Sequence, residues 1–192
     1  MEFQKIQITK QGTLNATYKN NDGDIIQFNG ANIVHKNLKQ AMQALIPHLA
    51  IITEQREAHD KTLVELRGIS ITDDGDNIYK RMNIDGVKFG SGEQRVSVSG
   101  TRILTKQGVI SVSSPSIELA DNEQYEWNDE LAEDIEAVKY EAKEYIDSRK
   151  WGVKQSEIEF ADIQPFEGVQ ADEAPVAETQ PKKRGRKAKK VA

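Results

Sequence analysis

The chain has 192 residues, of which 30% are charged and 37% apolar, and its formal net charge is −5. It contains no cysteine, which excludes disulfides, thiolate nucleophiles and cysteine–zinc sites. The start, MEFQKIQITKQG, lacks the apolar core of a secretory signal, and no run reaches the length of a membrane span. A cytoplasmic protein without a membrane partner is expected.

Residues 3–29 read as a meander. Phe3, Ile6 and Ile8 belong to a first strand that turns at Gln11-Gly12, and Leu14, Ala16 and Tyr18 alternate in a second. Asn20-Asn21-Asp22-Gly23 is a hairpin turn, because Asn, Asp and Gly tolerate positive φ. Ile25, Ile26 and Phe28 form a third strand. A helix is predicted over 37–57, with Leu38, Met42, Leu45, Leu49 and Ile52 on one face. Pro47 lies inside it, so a kink or two short helices are expected.

The stretch from Val64 to Ser113 reads as three or four antiparallel strands, part of a sheet continuing to Leu119. Three glycines, Gly68, Gly86 and Gly100, interrupt the apolar alternation, and the phase flips across each. A flip at glycine is what a β-bulge or a sharp bend produces. Three of them predict a strongly curved antiparallel sheet, even a partial barrel. Asp73-Asp74-Gly75-Asp76 and Lys106-Gln107-Gly108 are its turns. A second helix over 129–147 buries Leu131, Ile135, Val138, Ala142 and Tyr145 or Ile146, starts at Asn128 or Asp129, and is otherwise acidic.

The fold class is therefore α+β, in the order three strands, helix, four strands, helix. One domain over 1–154 is expected, and the order suggests a two-fold internal repeat with halves 1–60 and 61–154. The turns at Asp22-Gly23-Asp24 and Asp74-Gly75-Asp76 would then correspond. Residues 155–192 read as a disordered tail, rich in Pro, Gly, Ala, Glu and Gln. The tail is charge-segregated. Ala161–Gln180 holds five acids and no base, and Pro181–Ala192 holds seven bases and no acid. Residues 1–160 then carry −7.

No enzyme motif emerges. The histidines, His35, His48 and His59, lie in or beside the first helix and read as surface or part-buried side chains. The aspartates of the two turns lack the glycine and glutamate positions of a calcium loop. Phe89-Gly90-Ser91-Gly92-Glu93 lacks the third glycine and the following helix of a phosphate loop. No cofactor or metal is predicted.

Binding is more legible. Residues 77–108 hold six bases and two acids. The phase flips place Arg81, Lys88, Arg95 and Arg102 together on the outer face of the curved sheet, with Tyr79 at its rim as a stacking platform. Cations for phosphates beside a flat ring suit a single nucleic-acid strand. The alternative is an ordinary solvated sheet face. The acidic helix 129–147 is a solvated face or, alternatively, a protein-binding surface.

In the tail, Pro181-Lys182-Lys183-Arg184-Gly185-Arg186-Lys187 resembles an AT-hook. The resemblance implies that Arg184, Gly185 and Arg186 enter the minor groove of A·T-rich DNA, with Lys182, Lys183 and Lys187 on phosphates. The family's proline after the second arginine is replaced here by Lys187. Gln155, Ile158 and Phe160 look like a short sliding-clamp-binding peptide. The sequence thus predicts a non-enzymatic nucleic-acid-binding accessory protein of phage or mobile-element style. Its expected partner is single-stranded DNA rather than RNA. The alternative is an adaptor or inhibitor that uses the acidic helix. A homo-oligomer is compatible with either.

Overall fold

A computed structural model describes residues 1–69, 77–106, 108–119 and 125–152. The amino-terminal meander forms as its alternation dictates: β1 (Glu2–Ile8), β2 (Thr13–Lys19) and β3 (Ile25–Ile33). The β2–β3 turn closes through Asn20, whose side chain accepts from Asp24 N–H at 2.8 Å. Helix α1 (Lys36–Ile52) runs through Pro47 without breaking into two, and Leu38, Met42, Leu45 and Leu49 are buried. A 3-10 turn at Arg56–Ala58 and two short helices, α2 (Leu63–Arg67) and α3 (Ile78–Arg81), lead to β4 (Met82–Phe89). After a second 3-10 turn at Ser91–Glu93 come β5 (Arg95–Leu104), β6 (Gly108–Ser113), β7 (Ile117–Glu118) and α4 (Asn128–Asp147).

The seven described strands form one antiparallel sheet in the order β3-β2-β1-β4-β5-β6, with β7 on β5. Between β6 and β7 the chain leaves the ladder for a few residues. Ser114 spans the gap, accepting from Val98 N–H through its hydroxyl at 2.9 Å and from Ser97 Oγ through its carbonyl at 2.9 Å. Both long helices pack on one face, α1 against α4 and β4, and α4 against β1. One hydrophobic core lies between, and it draws residues from β1 to α4. Among the described residues no helix is long and apolar enough to cross a membrane.

The α+β class and the order of the main elements are as expected, but the stretch from Val64 differs in three ways. Val64–Leu66 is helix, not strand. Thr62 and Glu65 form a capping box, Thr62 Oγ accepting from Glu65 N–H and Glu65 Oε2 accepting from Thr62 N–H at 2.7 Å. That T-x-x-E signal outweighs the short alternation, and Val64 ends up 71% exposed. Gly68 simply caps α2.

The second difference lies at Gly100. Gly86 does follow a bulge, because Asp85 is an extra residue between the pairs Ile84–Gly100 and Gly86–Ser99. The phase of β4 therefore flips, and Met82, Ile84, Val87 and Phe89 all face the helices. Strand β5 carries no extra residue and keeps its phase. Val96, Val98 and Gly100 point inward, Arg102 follows them, and Ile103 is 52% exposed on the outside.

Third, the sheet is neither closed nor strongly curled. A bulge in one strand of a pair turns side chains over without bending the whole sheet. The predicted correspondence of the turns at 22–24 and 74–76 also fails. Asp22–Asp24 joins the second and third strands of its meander, and the matching connection joins β5 to β6, after residue 104. Residues 73–76 precede β4 and lie outside the described residues.

Candidate nucleic-acid interface

The face opposite the helices is accessible and polar at its centre, with Ile25, Ile103 and Val109 exposed towards its edges. The ladder registers arrange it in rows, since residues directly paired across strands share a face. One row runs Gln27, Thr17, Lys5, Lys88, Ser97, and the next runs Asn29, Asn15, Gln7, Gly86, Ser99, Ser113. Lys5 and Lys88 stand directly opposite each other on the two central strands. Neither ammonium has a hydrogen-bond or ion-pair partner among the described residues. Like charges facing each other across a ladder are destabilising, so this pair creates a local demand for an anion. Hydroxyls and carboxamides on either side add donors around it.

The predicted sheet residues do not gather on this face as expected. Lys88 is there and exposed. Arg95 is there, 62% exposed in its side chain and 3.5 Å from Glu118 on β7. Arg102 is not. It shares the helix side with Met82 and Ile110, its side chain is only 12% exposed, and its guanidinium binds Glu57 at 2.9 Å and Gln55. Arg81 belongs to α3, where Asn77 caps the helix by accepting from Lys80 N–H at 3.0 Å. It lies 3.8 Å from the same Glu57 and donates to Thr105 Oγ1 at 2.9 Å. Both arginines therefore fasten the 3-10 turn to the sheet.

Tyr79 is half-buried against the core rather than at a rim, and its hydroxyl donates to Leu66 carbonyl at 3.4 Å. Burial raises its phenol pKa against the opposing pull of Arg67. Among the described residues no ring on a strand takes its place, because Phe3, Tyr18, Phe28 and Phe89 all point to the helix side. The outer face thus offers cations and hydrogen-bond donors but no stacking surface on its strands. Lys182, Lys183, Arg184, Gly185, Arg186 and Lys187 lie outside the described residues, as does the 155–160 peptide.

Lys5 is not singled out by sequence because it is one lysine in a strand of ordinary alternation. Only the β1–β4 pairing, which joins residues more than eighty positions apart, brings it to Lys88.

A second polar group is equally silent in the sequence. His48 is fully buried on α1. Its Nδ1 is 2.7 Å from the Tyr125 hydroxyl, and its Nε2 is 3.3 Å from Asp134 Oδ2. The same Nε2 also lies 3.3 Å from Arg67 Nη2. Arg67 closes the group, 2.7 Å from Asp134. Burial pushes the Tyr125 phenol well above its ordinary pKa. The group links α1, α2 and α4 through satisfied polar contacts.

The acidic helix is less bare than its sequence implies. Asp134 pairs with Arg67, Glu136 with Lys139 and Glu141 with Lys150. It starts at Asn128, one of the two expected positions, with Trp127 before it as the cap, and the Asn128 side chain donates to Leu119 carbonyl at 2.9 Å. No family model, curated protein or solved structure matches the chain.

Proposed function

We propose that the protein is a non-enzymatic nucleic-acid-binding accessory protein that holds single-stranded DNA, rather than RNA, by its phosphate backbone. The observation that carries this reading is the unpartnered pair Lys5–Lys88 at the polar centre of an accessible sheet face. Arg95 lies on the same face beside Glu118, and the basic segment 181–192 adds a sequence-independent electrostatic arm. A single strand can lie along a sheet face, whereas a convex duplex meets it at few phosphates. Without rings on the strands, the face grips backbone and discriminates little between bases. The competing adaptor reading depends on the acidic helix, three of whose acids are already paired within the fold.

Gel shifts with a short single strand test the proposal. Full-length protein should bind at low salt and weaken steeply as salt rises. Removing 181–192 should weaken binding without abolishing it. Lys5→Glu with Lys88→Glu in the shortened protein should abolish the rest. Every phosphate that is no longer neutralised should flatten the log–log salt slope by about 0.7. If the shortened parent binds nothing at low salt, the sheet-face reading is wrong. If the full chain also fails while a pull-down recovers one protein partner, the adaptor reading replaces it.

A further inference from the structure

The two halves of the sheet meet as equivalents along the β1–β4 seam. Each half is a three-stranded meander that leads on to a long helix, and the strand order sets the two meanders back to back. The central strands are antiparallel and pair Lys5–Gln7 with Gly86–Lys88. Each bears one extra residue at the corresponding place. In β1 it falls between Phe3 and Lys5, and in β4 between Ile84 and Gly86. Phe3 therefore corresponds to Ile84, and the seam has two matching ends.

At the first end the β4–β5 connection folds over β1. Glu93 accepts a hydrogen bond from Phe3 N–H through one carboxylate oxygen and pairs with Lys139 of α4 through the other. Burial opposes the charge on Lys139, but Glu136 and Glu93 outweigh it and hold the ammonium above the ordinary lysine range. One carboxylate thus satisfies both a strand edge and a helix lysine.

At the second end the equivalent connection is the short β1–β2 turn around Thr9–Gly12, which closes on itself through Gly12 N–H to Thr9 carbonyl at 2.9 Å. Here lies a cavity of about 670 Å³, walled by Ile84 and Asp85 of β4, by Lys39 and Met42 of α1, and by Lys10 of the turn. Asp85 is engaged by Asn83 Nδ2 at 3.0 Å. The ammonium groups of Lys10 and Lys39 have no partner among the described residues.

We propose that this cavity binds a small organic oxyanion, a phosphate or carboxylate, whose charged group sits against Lys10 and Lys39 as the Glu93 carboxylate sits against Lys139. The fold supplies its own template for the chemistry, since the matching end of the seam is satisfied by a carboxylate. The volume lies within the range of small-molecule sites. Buried Ile84 and Met42 offer an apolar wall for the carbon skeleton. Lys10 and Lys39 sit on separate elements, so two independent parts of the chain converge on one anion.

Titration of the full chain, followed by amide NMR shifts and by Tm, tests this. The probes are a deoxynucleoside 5′-monophosphate and succinate, with sodium chloride at matched ionic strength as the control. At least one probe should move the amides of Ile84 and Asp85 and raise Tm, and Lys10→Glu with Lys39→Glu should weaken it by about tenfold or more. Both lysines are exposed, so the variant should fold, and Lys39→Gln should give an intermediate loss. A response to the nucleotide alone assigns a phosphate ligand, and a response to succinate alone assigns a carboxylate. In Lys5→Glu with Lys88→Glu any nucleotide held on the outer face should be lost, whereas the shifts of Ile84 and Asp85 should persist, because neither lysine lines the cavity. Glu93→Ala should add a second, weaker site beside Phe3 and Lys139. Equal shifts with chloride, no shift with either probe, or an unaltered response in the Lys10/Lys39 variant would overturn the proposal.

Discussion

At the scale of single residues, three glycines that look alike in the sequence have different jobs. A Cβ on Gly100 would overlap the Asn83 carbonyl oxygen, and one on Gly86 would lie 2.7 Å from Ile6 carbonyl oxygen. Both clashes are with backbone, which cannot swing aside. A Cβ on Gly68 would meet nothing closer than 3.4 Å. Gly86→Ala and Gly100→Ala should each cost about 1–3 kcal/mol. Gly68→Ala should be neutral or stabilise by up to about 1 kcal/mol, because it restricts the unfolded chain. Urea midpoints will show it, and equal losses at all three sites would refute the assignment. Tyr125 gives a second prediction at this scale. Its folded pKa is raised, by burial first, while the unfolded phenol titrates at about 10. The folded state therefore holds its proton more tightly. The stability is fully present below pH 10 and is lost as pH rises above it, at about 1.4 kcal/mol per pH unit for one group. Tyr125→Phe should flatten that alkaline slope, measured by urea unfolding at pH 9 and above.

At the scale of elements, the 3-10 turn Arg56–Ala58 is held to the sheet by Glu57, which faces both Arg81 and Arg102. These three side chains are 12–19% exposed, so the group is close to a buried ion network. Glu57→Ala should cost about 2 kcal/mol or more, somewhat below the loss for a fully buried pair. Arg102→Glu should be at least as harmful, since it opposes Glu57 with a second acid. A fall in thermal stability of both variants, with the salt slope of nucleic-acid binding unchanged per folded molecule, would confirm a structural role. A direct loss of the proposed single-strand binding in a stable Arg102 variant would return that residue to the proposed interface. Much of this level is legible in the sequence. The meander, α1 and α4 follow the periodicity of their apolar residues, and the buried face of α4 is the one its spacing implies. Val64–Leu66 misleads because α2 has only five residues, too few for a period to decide between helix and strand. The capping residue Thr62 and its partner Glu65 decide it.

At the scale of the whole molecule, the two meander-and-helix units share one core and one sheet. The β1–β4 ladder and the α1–α4 packing both cross between residues 1–60 and 61–154. Neither half can bury its apolar face alone. Expressed separately, 1–60 and 61–154 should each lack a cooperative thermal transition, and mixing them should restore one. A cooperative transition in an isolated fragment would show that the halves are independent domains. The His48 group reinforces this unity, since it joins α1 to α4 through groups that each need the other.

By itself the sequence determined what depends on neighbours in the chain. Alternation and helical spacing placed most strands and both long helices, and composition marked the basic segment 181–192. Tertiary structure decided which side chains share a surface. A single bulge at Asp85 turns β4 over and leaves β5 in phase, which sends Arg102 inward and keeps Lys88 outside. The β1–β4 pairing then sets Lys88 against Lys5, and the short β1–β2 turn leaves Lys10 and Lys39 around a cavity. Local pattern fixes the parity of a side chain only within its own strand. Which face that parity means, and which distant residue lies opposite, depends on ladder register between strands far apart in the chain.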